Sequence, residues 1–522
     1  MALYTGTHPT TYIGYDTDLN DDDQNTDAQI NGTTWDLSST RTLAFSFLKY
    51  EEEKHYSDSA YNETEFTEVW KTQARLALLE FTKVTDINFE EQAQPTDVTD
   101  AINNGSDGVL RFATADGMGT AFGYYPNSGE SGGDMMFNYS NYDDDANIGT
   151  YTYATMMHEI GHTMGLKHGH ETNGPGSLTA DKDSMEYSIM TYHSHTGDPA
   201  PFYTNADGHY AQTLMMYDIS AIQRMYGADF TKEAGDTVYT FNTTTGEMFI
   251  NGVGQGAARD DSNNLSNVTF RTVWDGDGKD TYDLSNFTND LLIDLTPGGY
   301  SDFDVNGNDL RAMLNQGWDQ FGNYVGASAI EYARGHLFNA LQYEGDARSL
   351  IERAIGGTGD DTMIGNVANN KLYGGEGDDQ LFGNNGRDDL RGDAGSDIIY
   401  GGNGYDFIRG GKDRDYIYGD NGNDKIDGNK GRDIITGGKG DDTLTGGAGA
   451  DKFKFTKNDG NDHITDFELA FDTLVIDIDK SASPISGITV GSDFVIDYGY
   501  GETITLEGLA GITLNDIDIV LT

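Results

Sequence analysis

A nine-residue repeat runs eleven times without a gap from residue 356 to residue 454, and it constrains the fold more than any other feature. Each unit begins with glycine, and its eighth residue is Met, Leu, Ile or Phe. A glycine-rich loop of six residues followed by a strand of three is typical of a solenoid, whose stacked units bury the eighth side chain in a thin core. We therefore predict a parallel β-roll over this range.

The loops of the repeat also predict calcium binding. Glycine permits a tight left-handed backbone with open carbonyl oxygens, and a sixth-position carboxylate adds the negative charge that calcium prefers. The alternative is a flexible linker rich in Gly and Asp, but a linker does not place an apolar residue at every ninth position. Asn370 interrupts the aspartate series and Asp413 replaces a loop glycine, so both should weaken or reshape individual sites. The sixth-position candidate ligands are Asp361, Asp379, Asp388, Asp397, Asp406, Asp415, Asp424, Asp433 and Asp442.

The composition narrows the classes of partner and of metal ligand. A length of 522 residues suggests two or three domains, and the formal net charge is −55. Because such a charge repels nucleic acid and anionic membrane, we expect neither as a partner. The absence of cysteine leaves histidine, carboxylate, tyrosine and backbone oxygen as ligands. No apolar run reaches the ~18 residues of a membrane span, and residues 1–30 show no ordinary secretory signal.

A second motif, His-Glu-Ile-Gly-His-Thr-Met-Gly-Leu-Lys-His, begins at His158 and predicts a zinc site. His158 and His162 share one face of a helix, so both imidazoles can bind one zinc ion. Gly165 can take a positive φ and turn the chain so that His168 becomes the third ligand. Glu159 is placed to take a proton from a zinc-bound water. Three protein ligands leave one position open, which is typical of a catalytic zinc site.

This extended motif resembles the zinc signature of the metzincin peptidases. A bare His-Glu-x-x-His arises by chance in ordinary helices, but the added glycine and third histidine make chance improbable. Met190 follows His168 by 22 residues and fits the methionine that metzincins place in a turn beneath the zinc ligands. The resemblance implies that Tyr192 ligates zinc and then hydrogen-bonds to the oxyanion once substrate displaces it. The alternative for Met190 is an ordinary core methionine, and the alternative for Tyr192 is packing within the turn.

Over nearly its whole length the chain resembles the serralysin family of bacterial secreted zinc endopeptidases. The resemblance implies an α+β zincin (metzincin) catalytic domain followed by an all-β parallel β-roll. It also implies calcium-stabilised, zinc-dependent hydrolysis of proteins with broad specificity. Besides the zinc motif and the repeat, it rests on Trp35, Leu43–Leu48, Gly132–Asp134, Met190–Tyr192, Asp218–Gln223, Tyr226–Ala228, Trp274–Asp280 and Ile351–Gly357.

The resemblance assigns further calcium ligands. A calcium loop ahead of the roll is expected to comprise Asp275, Asp277, Gly278 and Asp280. The family pattern has glycine where Asp277 stands, so its ligand atom is left open between backbone and side chain. The first roll calcium is expected at Glu352, Gly357, Gly359 and Asp361. The next turn is expected to use Gly374, Gly375, Gly377 and Asp379.

The pattern divides the chain into five segments. They are an N-terminal segment that is a candidate propeptide (1–35), the catalytic domain (36–236), a β-rich connecting region (237–355), the roll (356–454) and a C-terminal β region (455–522). Hydrophobic spacing predicts helices over 67–84, 149–164 and 211–226, a helix near 310–316, and strands at 109–112 and 120–124.

The resemblance also implies how the protein leaves the cell and what it meets. Family members are exported by a one-step (type I) secretion machinery that reads a C-terminal signal, which Asp518–Leu521 resembles. An ordinary last strand is the alternative for this segment. We expect an extracellular monomer that acts on protein and peptide substrates, with a proteinaceous inhibitor as a candidate partner.

Two other classes of protein carry such repeats. A calcium-dependent adhesin or scaffold would have a degenerate zinc motif, which this chain does not show. A hydrolase with a serine nucleophile, such as a lipase, would carry Gly-x-Ser-x-Gly at a strand-to-helix turn. The sequence offers no convincing candidate for that motif, so the zinc peptidase is the preferred prediction.

Overall fold

A computed structural model describes residues 21–37, 41–47, 62–92, 109–116, 119–127, 132–138, 140, 142, 146–172, 176–200, 202–307, 310–477, 485–499 and 501–522. Two large hydrophobic cores occupy this part of the chain, besides a small cluster of Ala113, Ala115 and Met136. The first gathers buried residues mainly from the N-terminal half, and the second runs from Tyr239 to Ile517. The first core lies in an α+β domain and the second in parallel β-sheets. The predicted fold class is therefore confirmed.

The described part of the N-terminal domain contains four helices and one sheet. The helices are α1 (Asp21–Asp27), α2 (Glu68–Val84), α3 (Tyr151–Thr163) and α4 (Met216–Tyr226). The strands are β1 (Thr42–Phe47), β2 (Asn62–Thr64), β3 (Asn88–Glu91), β4 (Val109–Asp116), β5 (Ala121–Gly123) and β6 (Asp134–Phe137). The sheet order is β3-β1-β4-β6-β5, with β2 on β4. β5 runs antiparallel to β6 and is the edge strand among the described strands of this sheet. It lies next to α3, which carries His158 and His162 and is called the zinc helix below.

Local signals explain where the helices begin. The Thr67 hydroxyl accepts a hydrogen bond from the Trp70 backbone N–H at the start of α2, and Thr150 does the same for α3. These helices match the predicted ranges. The third predicted helix is shorter than expected, because α4 begins at Met216 rather than at residue 211. Asp218 caps it by accepting a hydrogen bond from the Met215 N–H.

The connecting region is β-rich, and one prediction for it is wrong. Its strands are β7 (Val238–Phe241), β8 (Met248–Ile250), β9 (Val253–Gly254), β10 (Arg271–Val273), β11 (Asp280–Asp283), β12 (Leu292–Asp294), β13 (Tyr300–Ser301), β14 (Met313–Gln316), β15 (Ile330–Tyr332), β16 (Leu337–Asn339) and β17 (Ile351–Ile355). The helix predicted near residues 310–316 is instead strand β14, antiparallel to β15. Its backbone also bonds to a distant segment, since the Met313 carbonyl oxygen accepts a hydrogen bond from the Ala206 N–H. This tertiary contact replaces the bonds that a helix would make within itself.

The roll consists of two facing parallel sheets whose strands alternate along the chain. One sheet contains β19 (Lys371–Glu376), β22 (Asp389–Ala394), β24 (Phe407–Lys412), β26 (Lys425–Gly431), β28 (Thr443–Thr445) and β29 (Ala448–Gly449). The other contains β18 (Thr362–Ile364), β20 (Gln380–Phe382), β21 (Asn385–Gly386), β23 (Ile398–Gly404), β25 (Tyr416–Gly422), β27 (Ile434–Lys439) and β30 (Lys452–Phe455). Residues 18 apart pair in register, as Leu372 does with Leu390. The eighth-position side chains are all buried, so the predicted core column is confirmed.

Both sheets continue past residue 454. The last strands are β31 (Asn461–Ile464), β32 (Thr473–Ile476), β33 (Ser486–Val490), β34 (Asp493–Gly499), β35 (Glu502–Leu506) and β36 (Asp518–Leu521). β31 stacks on β28 and β32 stacks on β30, and Ile464 and Leu474 extend the buried column. Single 3-10 turns occur at Ala327–Ala329, Tyr343–Gly345, Ala347–Ser349 and Leu514–Asp516. Among the described helices, none combines the length and apolarity needed to cross a membrane.

Residues 24–37 pack into the first core. Ile30 and Trp35 are buried, and the Trp35 indole N–H donates to the Thr163 carbonyl oxygen at 2.8 Å. The Ile30 backbone pairs with Leu166, inside the zinc motif. This part of the N-terminal segment therefore lies directly behind the turn that carries the third histidine.

Candidate metal centre

The zinc motif folds as its spacing predicts. His158 and His162 lie one turn apart on buried helix α3, which ends at Thr163. Gly165 has φ of +103°, and a Cβ there would clash with the Thr33 carbonyl oxygen. Glycine therefore permits the turn that brings His168 back to the helix. The candidate ligand nitrogens of the three histidines all lie within 4.8 Å of one another.

Each of the three imidazoles is oriented through its Nδ1 atom. Nδ1 of His158 lies 2.7 Å from the Ile189 carbonyl oxygen, and Nδ1 of His162 lies 2.8 Å from that of Leu166. Nδ1 of His168 lies 2.9 Å from a carboxylate oxygen of Glu171. Such outer contacts hold the Nε2 atoms toward a common point and raise their basicity. The donor set therefore fits a zinc ion held by three histidines.

The electrostatics favour neutral imidazoles. Burial lowers the pKa of His158 to about 4 and that of His168 to about 3. Burial also places the pKa of His162 well below its usual value, with the other two histidines adding to the effect. Because only a neutral imidazole offers a lone pair to a metal, the site is ready to bind zinc at neutral pH.

Glu159 follows His158 on the zinc helix and has one unpaired oxygen. Its Oε2 atom is buried and has no hydrogen-bond partner among the described residues. The Gly123 N–H of β5 donates to the carboxylate, and burial raises the Glu159 pKa to about 8. A carboxylate with a raised pKa and an unpaired oxygen is suited to accept and pass on a proton. A bound cation would lower this pKa again.

Tyr192 completes the cluster on the exposed side. Its phenol oxygen lies 2.7 Å from Nε2 of His168, and its ring packs on the His168 ring with centroids 4.5 Å apart. The side chain is 39% exposed, so it faces the open side of the site. This position allows the phenol either to approach a metal or to turn toward a substrate.

Met190 packs against the zinc helix at Gly161, next to His162. A Cβ on Gly161 would lie 2.7 Å from the Met190 sulfur, so the glycine leaves room for this side chain against the helix. The turn is held by Asp218 of α4, whose carboxylate accepts hydrogen bonds from the Ile189 N–H and the Ser188 hydroxyl. Burial raises the Asp218 pKa to about 7. Asp218 thus positions Ile189, whose carbonyl oxygen orients His158.

Sequence reasoning gave no role in the site to Glu171 or Asp218. Glu171 follows the third histidine by three residues, and Asp218 lies 60 residues after His158. Each acts through a packed contact rather than through a local motif. The family segment Asp218–Gln223 was the one available signal for Asp218, and the sequence offered none for Glu171.

The residues of the predicted calcium loop ahead of the roll lie close together, but not all of their side chains converge. Burial raises the pKa of Asp275 to about 7 and that of Asp280 to about 9, with their mutual repulsion adding to the latter. One buried oxygen of Asp280 has no partner among the described residues. The Glu352 carboxylate accepts a hydrogen bond from the Asp280 N–H at 2.9 Å. Gly278 lies against the Asp280 carboxylate, whereas Asp277 is exposed and donates its N–H to Asp275.

The structure does not bring Glu352 to Asp361. Glu352 lies at the start of β17, while Asp361 immediately precedes β18 in the facing sheet. Asp361 instead accepts hydrogen bonds from the N–H groups of Gly357 and Leu291. Glu352 therefore joins the loop of Asp275 and Asp280 rather than the first turn of the roll.

The roll offers a repeated set of unpaired oxygens. The Asp379 N–H donates to Oδ1 of Asp397, and this pattern recurs at successive turns. The second oxygen of each carboxylate is buried without a partner among the described residues. This holds for Asp379, Asp388, Asp397, Asp406, Asp415, Asp424, Asp433, Asp442, Asp451 and Asp462. The last two were not among the predicted ligands, although Asp462-His463-Ile464 keeps the repeat's carboxylate-to-core spacing.

Glycines shape the space into which these oxygens point. A Cβ on Gly375 would clash with the Gly357 carbonyl oxygen, and one on Gly377 with that of Gly359. A Cβ on Gly374 would clash with Asp379. Carbonyl and carboxylate oxygens around glycine-lined gaps fit calcium, which takes oxygen ligands in flexible geometry.

Asn370 changes one turn. Its Nδ2 atom donates to the Glu352 carbonyl oxygen, and Nδ2 of the neighbouring Asn366 donates to the carbonyl oxygens of Ile351 and Leu295. Amide protons therefore occupy carbonyl oxygens that a cation would otherwise contact. This supports the prediction that Asn370 reshapes a calcium site.

Three family models match the chain in succession. The model described as matrixin matches residues 36–175, and that described as peptidase M10 serralysin C terminal matches residues 228–311. The RTX calcium-binding nonapeptide repeat matches residues 355–390, 391–426 and 418–453. These matches confirm the predicted cofactor classes, a catalytic zinc ion and several calcium ions.

Individual relatives agree with the models. Metalloprotease AprA of Pseudomonas entomophila is 31% identical over 360 residues, and Serralysin G of Dickeya chrysanthemi is 30% identical over 350. Serralysin of Proteus mirabilis is 32% identical over 363 residues. Each match covers 65% of this chain and 63% of the relative, so the chain spans less than two thirds of their length. In the order of these matches and in the geometry of its histidines, the chain is similar to the serralysin metallopeptidases.

Proposed function

We propose that this protein is a zinc-dependent endopeptidase that hydrolyses peptide bonds of proteins with broad specificity. The observation that carries the proposal is the convergence of His158, His162 and His168 beside the unpaired oxygen of Glu159. Structural zinc sites are closed by four protein ligands, whereas three histidines leave a position open. The names of the relatives, metalloprotease and serralysin, support the same activity.

The chain's own residues supply the proton transfers. A zinc ion held by the three histidines would polarise the scissile carbonyl group and acidify a water molecule. Glu159 takes the proton from the attacking water and delivers it to the leaving amine. Tyr192, at the exposed side of the cluster, donates a hydrogen bond to the oxyanion.

Strand β5 provides a place for the substrate backbone. It is the edge strand of its sheet, and its Gly123 contacts the zinc helix so closely that a Cβ there would lie 2.5 Å from the Glu159 carbonyl oxygen. An extended peptide can add to such an edge through backbone hydrogen bonds. Backbone hydrogen bonds do not depend on the side chains of the substrate, which accounts for broad specificity.

Calcium has a structural role in this proposal. The carboxylates of the roll repel one another, and bound calcium removes that repulsion. We further propose export by a one-step machinery with the signal in Asp518–Leu521, action outside the cell as a monomer, and a proteinaceous inhibitor as partner. The predicted domain limits are also retained as proposals, except that residues 24–35 are grouped with the catalytic domain because they pack in its core.

A digestion assay with a matched active-site variant tests the activity. The protein should digest casein, lose this activity with a zinc chelator, and regain it when zinc is restored. Glu159→Gln should retain one equivalent of zinc and lose turnover, because an amide cannot take the proton. Absence of digestion by the zinc-loaded protein, as expected of an adhesin, would overturn the proposal. Full activity of Glu159→Gln would overturn the role of that residue.

A further inference from the structure

The hairpin formed by β14 and β15 carries a cluster of exposed apolar side chains at its tip. Phe321 is 77% exposed, Tyr324 61% and Val325 54%. Trp318 packs edge-on against Tyr324, and Phe202 of the N-terminal domain lies against Gly322. We call these five side chains the hairpin patch. Contiguous apolar exposure of this kind is typical of an interaction surface.

The hairpin patch is fixed rather than loosely attached. Asp319 accepts hydrogen bonds from the N–H groups of Phe321 and Asn323, and Trp318 forms a backbone bridge with Tyr324. Such bonds hold the tip in one shape, so little conformational entropy is lost when a ligand binds.

Hydrogen bonds connect the hairpin to the turn that carries Tyr192. The Ser194 hydroxyl accepts a hydrogen bond from the Thr204 N–H at 2.7 Å, and the Thr204 hydroxyl donates to the Leu314 carbonyl oxygen of β14 at 2.9 Å. The Tyr203 hydroxyl, next to Phe202, donates to the Thr191 carbonyl oxygen. The hairpin patch is therefore connected by hydrogen bonds to the segment that follows Tyr192.

Charge disfavours two other occupants. The net charge of −55 opposes both an anionic membrane and a second copy of the chain. A polypeptide substrate held in the zinc cleft is, by contrast, already tethered near this segment, which raises the effective concentration of its distal residues at the patch.

We propose that the hairpin patch is an exosite that binds apolar side chains of unfolded protein substrates outside the zinc cleft. This inference rests on the proposed peptidase function and adds a substrate class, namely polypeptides long enough to reach from the cleft to the hairpin. Long unfolded chains gain affinity from the second contact, whereas short peptides do not.

Binding is measured in the Glu159→Gln background, so that the test does not depend on turnover. A fluorescently labelled, carboxymethylated casein chain and a labelled eight-residue fragment of it serve as probes. Phe321→Ser/Tyr324→Ser should raise the Kd for the long chain about tenfold and leave that for the short peptide unchanged. The matched control is Phe471→Ser, a 62% exposed phenylalanine of the C-terminal β region, which should change neither value.

The outcomes separate the two proposals. An unchanged Kd for the long chain, or an equal loss for both probes, would overturn the exosite. A change in sedimentation of the hairpin variant without a change in Kd would instead assign the patch to self-association. If the native protein binds the long chain through the hairpin but never cleaves it, the exosite stands and the peptidase function fails.

Discussion

The phenol oxygen of Tyr192 lies 2.7 Å from Nε2 of His168, the nitrogen that a zinc ion would share. The ring is 39% exposed, although burial of its inner part raises the Tyr192 pKa to about 12. The phenol is therefore protonated at neutral pH, and it can donate a hydrogen bond.

Tyr192→Phe should lower kcat by roughly 10- to 100-fold, because the oxyanion loses one donor. KM for a short peptide should change little, and zinc content should remain at one equivalent. Steady-state kinetics on a fluorogenic peptide, with metal analysis of the same sample, provide the check. An unchanged kcat would show that the tyrosine only packs in its turn.

Asp218→Ala should destabilise the turn that holds Met190. The variant leaves buried N–H groups of Ile189 and Met215 without an acceptor, each at a cost of about 1–3 kcal/mol. We expect a lower thermal midpoint for the N-terminal domain and weaker zinc retention against a chelator. Asp346→Ala, which removes an exposed carboxylate bonded to Arg348, is the control and should change neither. Loss of activity with unchanged stability and zinc affinity would contradict the positioning role.

Asn366→Gly combined with Asn370→Asp should add one calcium ion to the roll. The changes restore the residues that the repeat has elsewhere and free the carbonyl oxygens of Ile351 and Glu352 from amide donors. Calcium content after exhaustive dialysis against a buffered calcium solution measures the difference. An unchanged stoichiometry would mean that this turn excludes calcium for another reason.

Without calcium, the roll should become more stable as the pH falls. Burial raises the pKa of Asp379 from 3.8 to about 9 and that of Asp424 to about 8, so the folded state binds protons more tightly than the unfolded state. The stabilisation is complete below the unfolded pKa and is lost as the pH rises through the folded values. Far-UV circular dichroism of chelated protein should therefore show more β structure near about pH 5 than near about pH 8.5.

Calcium should reverse this dependence. The carboxylates must be ionised to bind calcium, so calcium binding should release protons. Calcium affinity should therefore decrease as the pH is lowered. A calcium-free roll whose spectrum is the same at both pH values, or calcium binding without proton release, would contradict this account.

The zinc site was predictable because its main residues are local. His158, Glu159 and His162 share one helical turn, and Gly165 sets the bend to His168, so spacing alone carries the geometry. The roll was predictable because every unit repeats the same carboxylate and the same core residue. The regular repeat ends at residue 454, because the next aspartate of this series, Asp462, follows Asp451 by eleven residues instead of nine.

The remaining features depend on contacts between distant segments. The family resemblance groups Glu352 with Asp361, but the two adjoin strands of different sheets, and the Glu352 carboxylate bonds to the Asp280 N–H. The segment near residue 313 has apolar residues that fit a short helix or a strand equally well, and pairing with β15 decides between them. Asp218 supports the zinc site through hydrogen bonds that no spacing rule contains.

The central claim is that three imidazoles hold one zinc ion with a position left open. X-ray absorption spectroscopy at the zinc edge of the loaded protein tests it most directly. We expect one zinc per chain with three imidazole nitrogens at about 2.0–2.1 Å and one or two oxygen ligands. His162→Ala should lose the ion. A site with fewer than three imidazoles, or zinc retained unchanged in His162→Ala, would contradict the account.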